Sequence, residues 1–102
     1  DLDKLIRERL IPQLVADYDL DLNGDELVKG RYILPNKEYG WIYGRAKDNG
    51  SLLGMYFNSF LKNELKVSRE EWTLDQYEEA VELSKSLYKY IREIIENERS
   101  KN

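Results

Sequence analysis

The chain has 102 residues, of which 41% are hydrophobic and 35% charged, and its net charge is −4. This size and composition predict one folded domain over residues 1–102, with a single core. The chain contains no cysteine and no histidine, which excludes disulfides, zinc–thiolate sites, Ser-His-Asp triads and imidazole proton transfer.

The sequence shows no membrane or export segment. No apolar run approaches the roughly 20 residues of a membrane-spanning helix, and no secretory signal is visible. Because cysteine is also absent, we expect a soluble, cytoplasmic protein. No cofactor and no metal are expected.

The first stretch of the chain has apolar residues at helical spacing, namely Leu2, Leu5, Ile6 and Leu10. Pro12 then removes one amide donor and clashes with the preceding turn of a helix. Two alternatives follow: the helix ends near Leu10, or a kinked helix resumes at Pro12.

An acidic stretch follows over residues 17–26, and Asn23-Gly24 within it is a strong turn signal. Residues 19–24 match the first half of a calcium-binding loop, in which oxygen ligands alternate before a glycine. The second half departs from that pattern, because Gly30 stands where a bidentate glutamate is needed. An acidic turn without a metal is the favoured interpretation, and an enzyme that holds a metal through these aspartates ranks last.

The segment from Lys29 to Lys47, here called the basic aromatic segment, combines positive charge with aromatic rings. It holds five cations and one carboxylate, a local charge of +4 in a chain of −4. The candidate ligand contacts are Arg31, Lys37, Trp41, Tyr43, Arg45 and Lys47. Cations neutralise phosphates and flat rings stack on bases, so the segment predicts a nucleotide or single-stranded nucleic-acid site. Tyr39 is a further candidate for stacking. The alternative is that the aromatic residues belong to the core.

Local structure in this segment is less regular. Pro35 and Asn36 lie between two apolar runs, so a short β-hairpin or an irregular insertion is expected around residues 31–45. Residues 48–51 then predict the start of a helix, and dense apolar residues after Ser51 predict that its wide face is buried. Gly54 interrupts that helix at a cost of about 1 kcal/mol relative to alanine.

The last quarter of the chain predicts one amphipathic helix, from Thr73 to Arg99. Residues 68–71 and 73–76 each have the pattern of a capping box. The apolar stripe of the helix comprises Leu74, Tyr77, Ala80, Val81, Ser84, Leu87, Tyr88, Ile91, Ile94 and Ile95. Its spacing of three to four residues predicts packing against the helix after Ser51. The fold expected from all elements is a mostly α, small helical bundle.

Four short motifs follow one another in the second half of the chain. They are Gly44-Arg45, Leu53-Gly54, Phe60-Leu61-Lys62 and Val67-Ser68-Arg69-Glu70-Glu71. Their order resembles the pattern of small helix bundles attached to primases, which include the C-terminal domains of primase-polymerases and an archaeal primase accessory subunit. The resemblance covers residues 44–71 and implies a non-catalytic module that helps to bind the initiating nucleotide or the template strand. The acidic overall charge and an additional turn at residues 72–76 depart from that pattern.

Two functional hypotheses follow. The first is a non-catalytic accessory module, such as a non-catalytic subunit of a primase, that binds a nucleotide or single-stranded nucleic acid in DNA replication beside a protein partner subunit. The alternative is an acidic protein-interaction domain, such as a small phage-type regulator or an inhibitor. The sequence leaves catalytic activity open and favours its absence.

Overall fold

The structure, a computed structural model, describes residues 1–32, Leu34 and residues 37–101, with only the backbone described for Lys37. Within these residues the chain is a compact bundle of helices without strands. The α-helices are α1 (Leu2–Lys4), α2 (Ile11–Tyr18), α3 (Gly40–Arg45), α4 (Asn49–Leu65) and α5 (Leu74–Ser100). A π-helical stretch covers Leu5–Leu10, and 3-10 turns cover Lys37–Tyr39 and Arg69–Glu71. The predicted mostly α bundle is confirmed.

The first three elements form one uninterrupted helical run over residues 2–18, here called the N-terminal run. Pro12 lies in the first turn of α2, directly after the π-helical stretch. A π turn is wider than an α turn, so it separates the proline ring from the carbonyl four residues earlier. Of the two alternatives, the helix that continues through Pro12 is the one that forms. The run ends at Asp19, whose φ of 51° is left-handed.

Helix α4 begins where the sequence predicts it. The Asp48 carboxylate accepts a hydrogen bond from the Ser51 amide at 2.8 Å, and the Asp48 amide donates to the Ser51 hydroxyl at 3.2 Å. This reciprocal capping box satisfies two backbone donors that the helix itself leaves free. The helix then buries six residues, namely Asn49, Leu52, Leu53, Tyr56, Phe57 and Leu61.

Helix α5 also begins at its predicted cap. The Gln76 amide donates to the Thr73 hydroxyl at 3.2 Å, and the Thr73 amide donates to the Gln76 side chain at 2.9 Å. The second predicted box, at Ser68, does not form. There the Glu71 amide donates to the Ser68 carbonyl at 2.9 Å, and the Ser68 side chain makes no cap. Because this 3-10 turn is so short, its own backbone bond closes it.

A short hairpin and an irregular insertion were the two alternatives expected around residues 31–45, and no hairpin is present in the described part of that segment. Residues 37–39 form a 3-10 turn that leads directly into α3. Helical geometry fits the sequence better, because Tyr39, Ile42 and Ala46 are all buried and lie three and four residues apart. A strand would have placed alternate residues on one face.

The core lies between α5 on one side and α4 with the N-terminal run on the other. The N-terminal run contributes Leu2, Ile6, Leu10, Leu14 and Tyr18, all at most 9% exposed. Helix α5 contributes Ala80, Ser84, Leu87, Ile91 and Ile95. No helix among the described residues is long and apolar enough to cross a membrane.

Candidate functional site

Helix α3 is held to the bundle by its inner face. Tyr39, just before the helix, is 2% exposed, and its ring centroid lies 5.0 Å from that of Tyr56 on α4. Ile42 is fully buried and Ala46 nearly so. These contacts fix the rotation of the short helix, which decides which side chains point outward.

The outer face of α3 carries an exposed tryptophan beneath an arginine. Trp41 is 52% exposed, and the guanidinium carbon of Arg45 lies 5.8 Å from its ring centroid. Gly40 and Gly44 belong to the same short helix, and a Cβ at either glycine would meet no side chain of a non-neighbouring residue within 4 Å. We call these four residues the Trp41 platform. It presents one flat aromatic surface, one cation and open space beside both.

Tyr43 has a different role from its neighbour Trp41. It is half-buried, its hydroxyl accepts from the Leu34 amide at 3.1 Å, and it donates to the Leu34 carbonyl at 3.4 Å. Burial raises the pKa of Tyr43 above its ordinary value. The side chain therefore fastens the segment before α3 to the bundle and is not part of the Trp41 platform.

The remaining predicted cations do not all gather at the platform. Lys47 is exposed just after α3, and its amide donates to the Ser51 hydroxyl at 3.1 Å. Arg31 is exposed elsewhere, in a depression of about 240 Å³ that no platform residue lines. That depression also contains Asp19, Asp21 and Glu26, so its charge is mixed. The side chain of Lys37 lies outside the described residues. Of the predicted set, Trp41 and Arg45 are the pair that the structure brings into contact.

The acidic stretch is organised by a residue that sequence reasoning missed, Asn49. This side chain is 1% exposed. Its oxygen accepts from the Leu27 amide at 2.9 Å, and its nitrogen donates to the Asp21 carbonyl and the Glu26 carboxylate, both at 2.8 Å. The bond from Asn49 is the main reason why the pKa of Glu26 is lowered. In the sequence, Asn49 is indistinguishable from any other residue at a helix start.

The acidic loop around Asn49 is the part of the chain that the sequence compares with a calcium-binding loop. Among the described residues there, no group of three or more acidic side chains is arranged to hold an ion. The Asp21 carboxylate instead accepts from the Asn23 amide at 2.9 Å, which closes a local turn.

Two arginines of α5 form a second cluster that the sequence did not reveal. Arg92 forms an ion pair with Asp17, and this hydrogen bond lowers the pKa of that carboxyl group. Arg99 donates to the Tyr32 hydroxyl at 3.1 Å and to the Tyr18 carbonyl. Both guanidinium groups lie within 5.5 Å of the Tyr18 ring centroid. This cluster joins the end of α5 to the end of α2.

No protein-family model, no curated protein and no solved structure matches this chain. The function proposed below is therefore inferred from the residues described above and from the resemblance in sequence at residues 44–71.

Proposed function

We propose that this chain is a non-catalytic module that binds a nucleotide or a short stretch of single-stranded nucleic acid on the Trp41 platform. The observation that carries the proposal is the exposed Trp41 ring in contact with Arg45, on a short helix in which Gly40 and Gly44 have no side chain. A flat ring can stack on any base, and an adjacent guanidinium can meet the phosphate that follows the base.

The charge around the platform supports the same proposal. The basic aromatic segment carries +4, and both Arg45 and Lys47 expose their side chains. The rest of the chain is acidic and repels a polyanion, so we expect a small footprint with few phosphate contacts. Two contacts, from Arg45 and Lys47, correspond to a slope of about −1.4 when the logarithm of affinity is plotted against that of salt concentration.

The lack of histidine and cysteine favours a binding role over a catalytic one, since the commonest proton-transfer and nucleophilic groups are missing. The resemblance to helix bundles attached to primases suggests the setting, which is primer synthesis in DNA replication beside a catalytic partner subunit. Arg45 belongs both to the resembling motif Gly44-Arg45 and to the platform.

The proposal is tested by titrating the full chain into fluorescently labelled oligo(dT) and, separately, by titrating ATP into the full chain in a calorimeter at low salt. We expect W41A to weaken binding about 5-fold to 150-fold, the equivalent of one lost base stack. R45A should weaken binding and reduce the salt slope by about 0.7, because one phosphate contact is removed.

The controls are matched in side-chain type and charge. Y77A removes another exposed aromatic ring and R9A removes another exposed cation, each far from α3 in sequence. Both should bind like the wild type. Equal binding by the wild type, W41A and R45A, or equal losses in the controls, would show that the platform is not the site. Response to ATP alone or to oligo(dT) alone identifies which ligand class is bound.

A further inference from the structure

The apolar stripe of α5 is covered along only part of its length. Its first buried residue is Ala80 and its last is Ile95. Leu74 is 76% exposed and Tyr77 is 39% exposed, although both continue the same stripe toward the start of the helix. The sequence prediction that the stripe is core from Leu74 onward is therefore wrong for its first turn.

Helix lengths explain why the stripe is uncovered. With 27 residues, α5 is about 40 Å long, whereas α4, with 17 residues, is about 25 Å long. The N-terminal run, over residues 2–18, is no longer than α4. The longest dimension of the molecule is 44 Å, so α5 spans it and its first turn lies at one end.

This exposed end is ordered by its own contacts. The Trp72 and Tyr77 rings meet edge to face, with centroids 5.2 Å apart. The Trp72 indole nitrogen donates to the Val67 carbonyl at 3.1 Å. The Arg69 guanidinium lies 5.6 Å from the Trp72 ring and is paired with Asp3 at 2.9 Å. Leu74 therefore projects from a preformed aromatic base, which lowers the entropic cost of binding a partner there.

The surface around Leu74 is strongly acidic. From Glu70 to Ser84 the chain holds six carboxylates and no lysine or arginine, and all six side chains are exposed. Among the described residues, only Glu82 of these six has an ion-pair partner, Lys85, at 3.9 Å. Residues 70–84 thus have a net charge of −6. Because the net charge of the whole chain is −4, all other residues together carry +2.

From these features we propose that the start of α5 is a docking surface for a basic, amphipathic segment of another protein. An apolar side chain of that segment covers Leu74 and Tyr77, and its lysines or arginines face the surrounding carboxylates. Burial of the apolar pair supplies most of the affinity, while the charges speed association and select the partner.

Charge complementarity selects this occupant over the others. A second copy docked through a twofold axis would oppose −6 with −6, which is repulsive. Nucleic acid and anionic membranes carry the same sign as the surface. The docking surface is separate from the Trp41 platform, so either proposal can fail alone.

The probe is an amphipathic peptide of about 18 residues, or five helical turns, built from leucine and lysine with leucine on one face. It is titrated into the 15N-labelled full chain at about 0.1 M salt, where screening limits non-specific attraction. We expect amide shifts centred on residues 72–82. A peptide of the same composition with leucine scattered round the helix should bind several-fold more weakly, because it cannot present one apolar face.

Variants separate the apolar contribution from the charge. L74A should weaken binding about 5-fold or more, the effect of losing a buried aliphatic anchor, and E78Q/E79Q should weaken it and flatten its dependence on salt. The matched control, E8Q/E93Q, removes the same charge from exposed positions elsewhere and should bind like the wild type.

Four results would overturn the proposal. They are no binding of the amphipathic peptide, equal binding of both peptides, shifts spread over all acidic surfaces, and unchanged binding by L74A. A further contrary result would come from sedimentation. If the wild type self-associates and L74A does not, the occupant of the surface is a second copy of this chain, which contradicts the proposal.

Discussion

The side chain of Asn49 connects two parts of the chain that lie more than twenty residues apart. It makes three hydrogen bonds to residues 21–27, and its backbone amide adds a fourth to the Gly24 carbonyl at 2.7 Å. The next amide, of Gly50, donates to the Leu22 carbonyl at 3.0 Å. The acidic loop thus satisfies two of the free amide donors at the start of α4, which keeps that loop folded against the bundle.

Replacing Asn49 tests how much this loop contributes to stability. N49A leaves the buried Leu27 amide without its partner, while the Asp21 carbonyl keeps its hydrogen bond from the Gly24 amide. We therefore expect the free energy of unfolding to fall by about 1–3 kcal/mol. Urea denaturation followed by circular dichroism measures the change. N58A, which truncates an exposed asparagine on the same helix, should change stability by less than about 0.5 kcal/mol. Similar values for the two variants would contradict the role assigned to Asn49.

The three aromatic residues at positions 39, 41 and 43 show how far exposure to solvent could be predicted from the sequence. The sequence grouped Tyr39, Trp41 and Tyr43 as candidates for stacking. The structure buries Tyr39, half-buries Tyr43 and exposes Trp41. Which ring faces solvent depends on whether the backbone is a helix or a strand. Successive side chains turn by about 100° around a helix, whereas along a strand they alternate between two faces. Because the sequence left a hairpin and an irregular insertion open for this segment, it could not predict which ring faces solvent.

At the scale of elements, helix starts were the most predictable feature. The helix starts near Asp48 and Thr73 form as expected, and at each of them a side chain and an amide three residues apart meet within one turn. Of the two capping boxes expected from the sequence, the one at Thr73 forms and the one at Ser68 does not. Contacts between residues far apart in the chain have no such local sequence pattern and could not be predicted. Arg99 reaches Tyr18 and Tyr32 across more than sixty residues, and nothing in the spacing of those residues indicated that contact.

Two glycines, Gly54 in α4 and Gly24 in the acidic loop, have opposite surroundings. A Cβ at Gly54, inside α4, would meet nothing within 4 Å, whereas one at Gly24 would lie 2.6 Å from the Glu26 carboxylate and 3.2 Å from the Asp21 carbonyl. Glu26 is itself held by Asn49. We therefore expect G54A to raise the free energy of unfolding by about 0.5–1 kcal/mol, because alanine favours the helix. G24A should lower it. Thermal and urea unfolding measure both, and a destabilised G54A would mean that α4 packs more closely there than the structure shows.

Across the bundle, two arginines join the end of α5 to the end of α2. Arg92 contacts Asp17 at the end of α2. Arg99 contacts Tyr18, the last residue of α2, and Tyr32 in the loop that follows. These contacts close the bundle at the end opposite the start of α5. The docking surface is left at the other end, where the helices differ in length.

Loss of Arg99 should loosen this closed end. R99A removes two hydrogen bonds and two contacts with tyrosine rings, so we expect a loss of about 1–2 kcal/mol. Hydrogen exchange should become faster in the last turns of α5 and in residues 19–32. The control is K101A, two residues after Arg99, which removes an exposed ion pair between Lys101 and Glu98. It should have almost no effect on stability or on hydrogen exchange. Unchanged exchange in R99A would show that the closed end does not depend on this side chain.

The buried positions of the N-terminal run lie four residues apart without exception, at Leu2, Ile6, Leu10, Leu14 and Tyr18. In an α-helix of 3.6 residues per turn, each step of four overshoots a full turn by about 40°, so four steps would rotate the last residue about 160° from the first. The π-helical stretch holds more residues per turn and removes part of that excess. The stretch therefore reduces the rotation that accumulates along the helix. As a result, residues spaced four apart stay on the face toward the core from Leu2 to Tyr18.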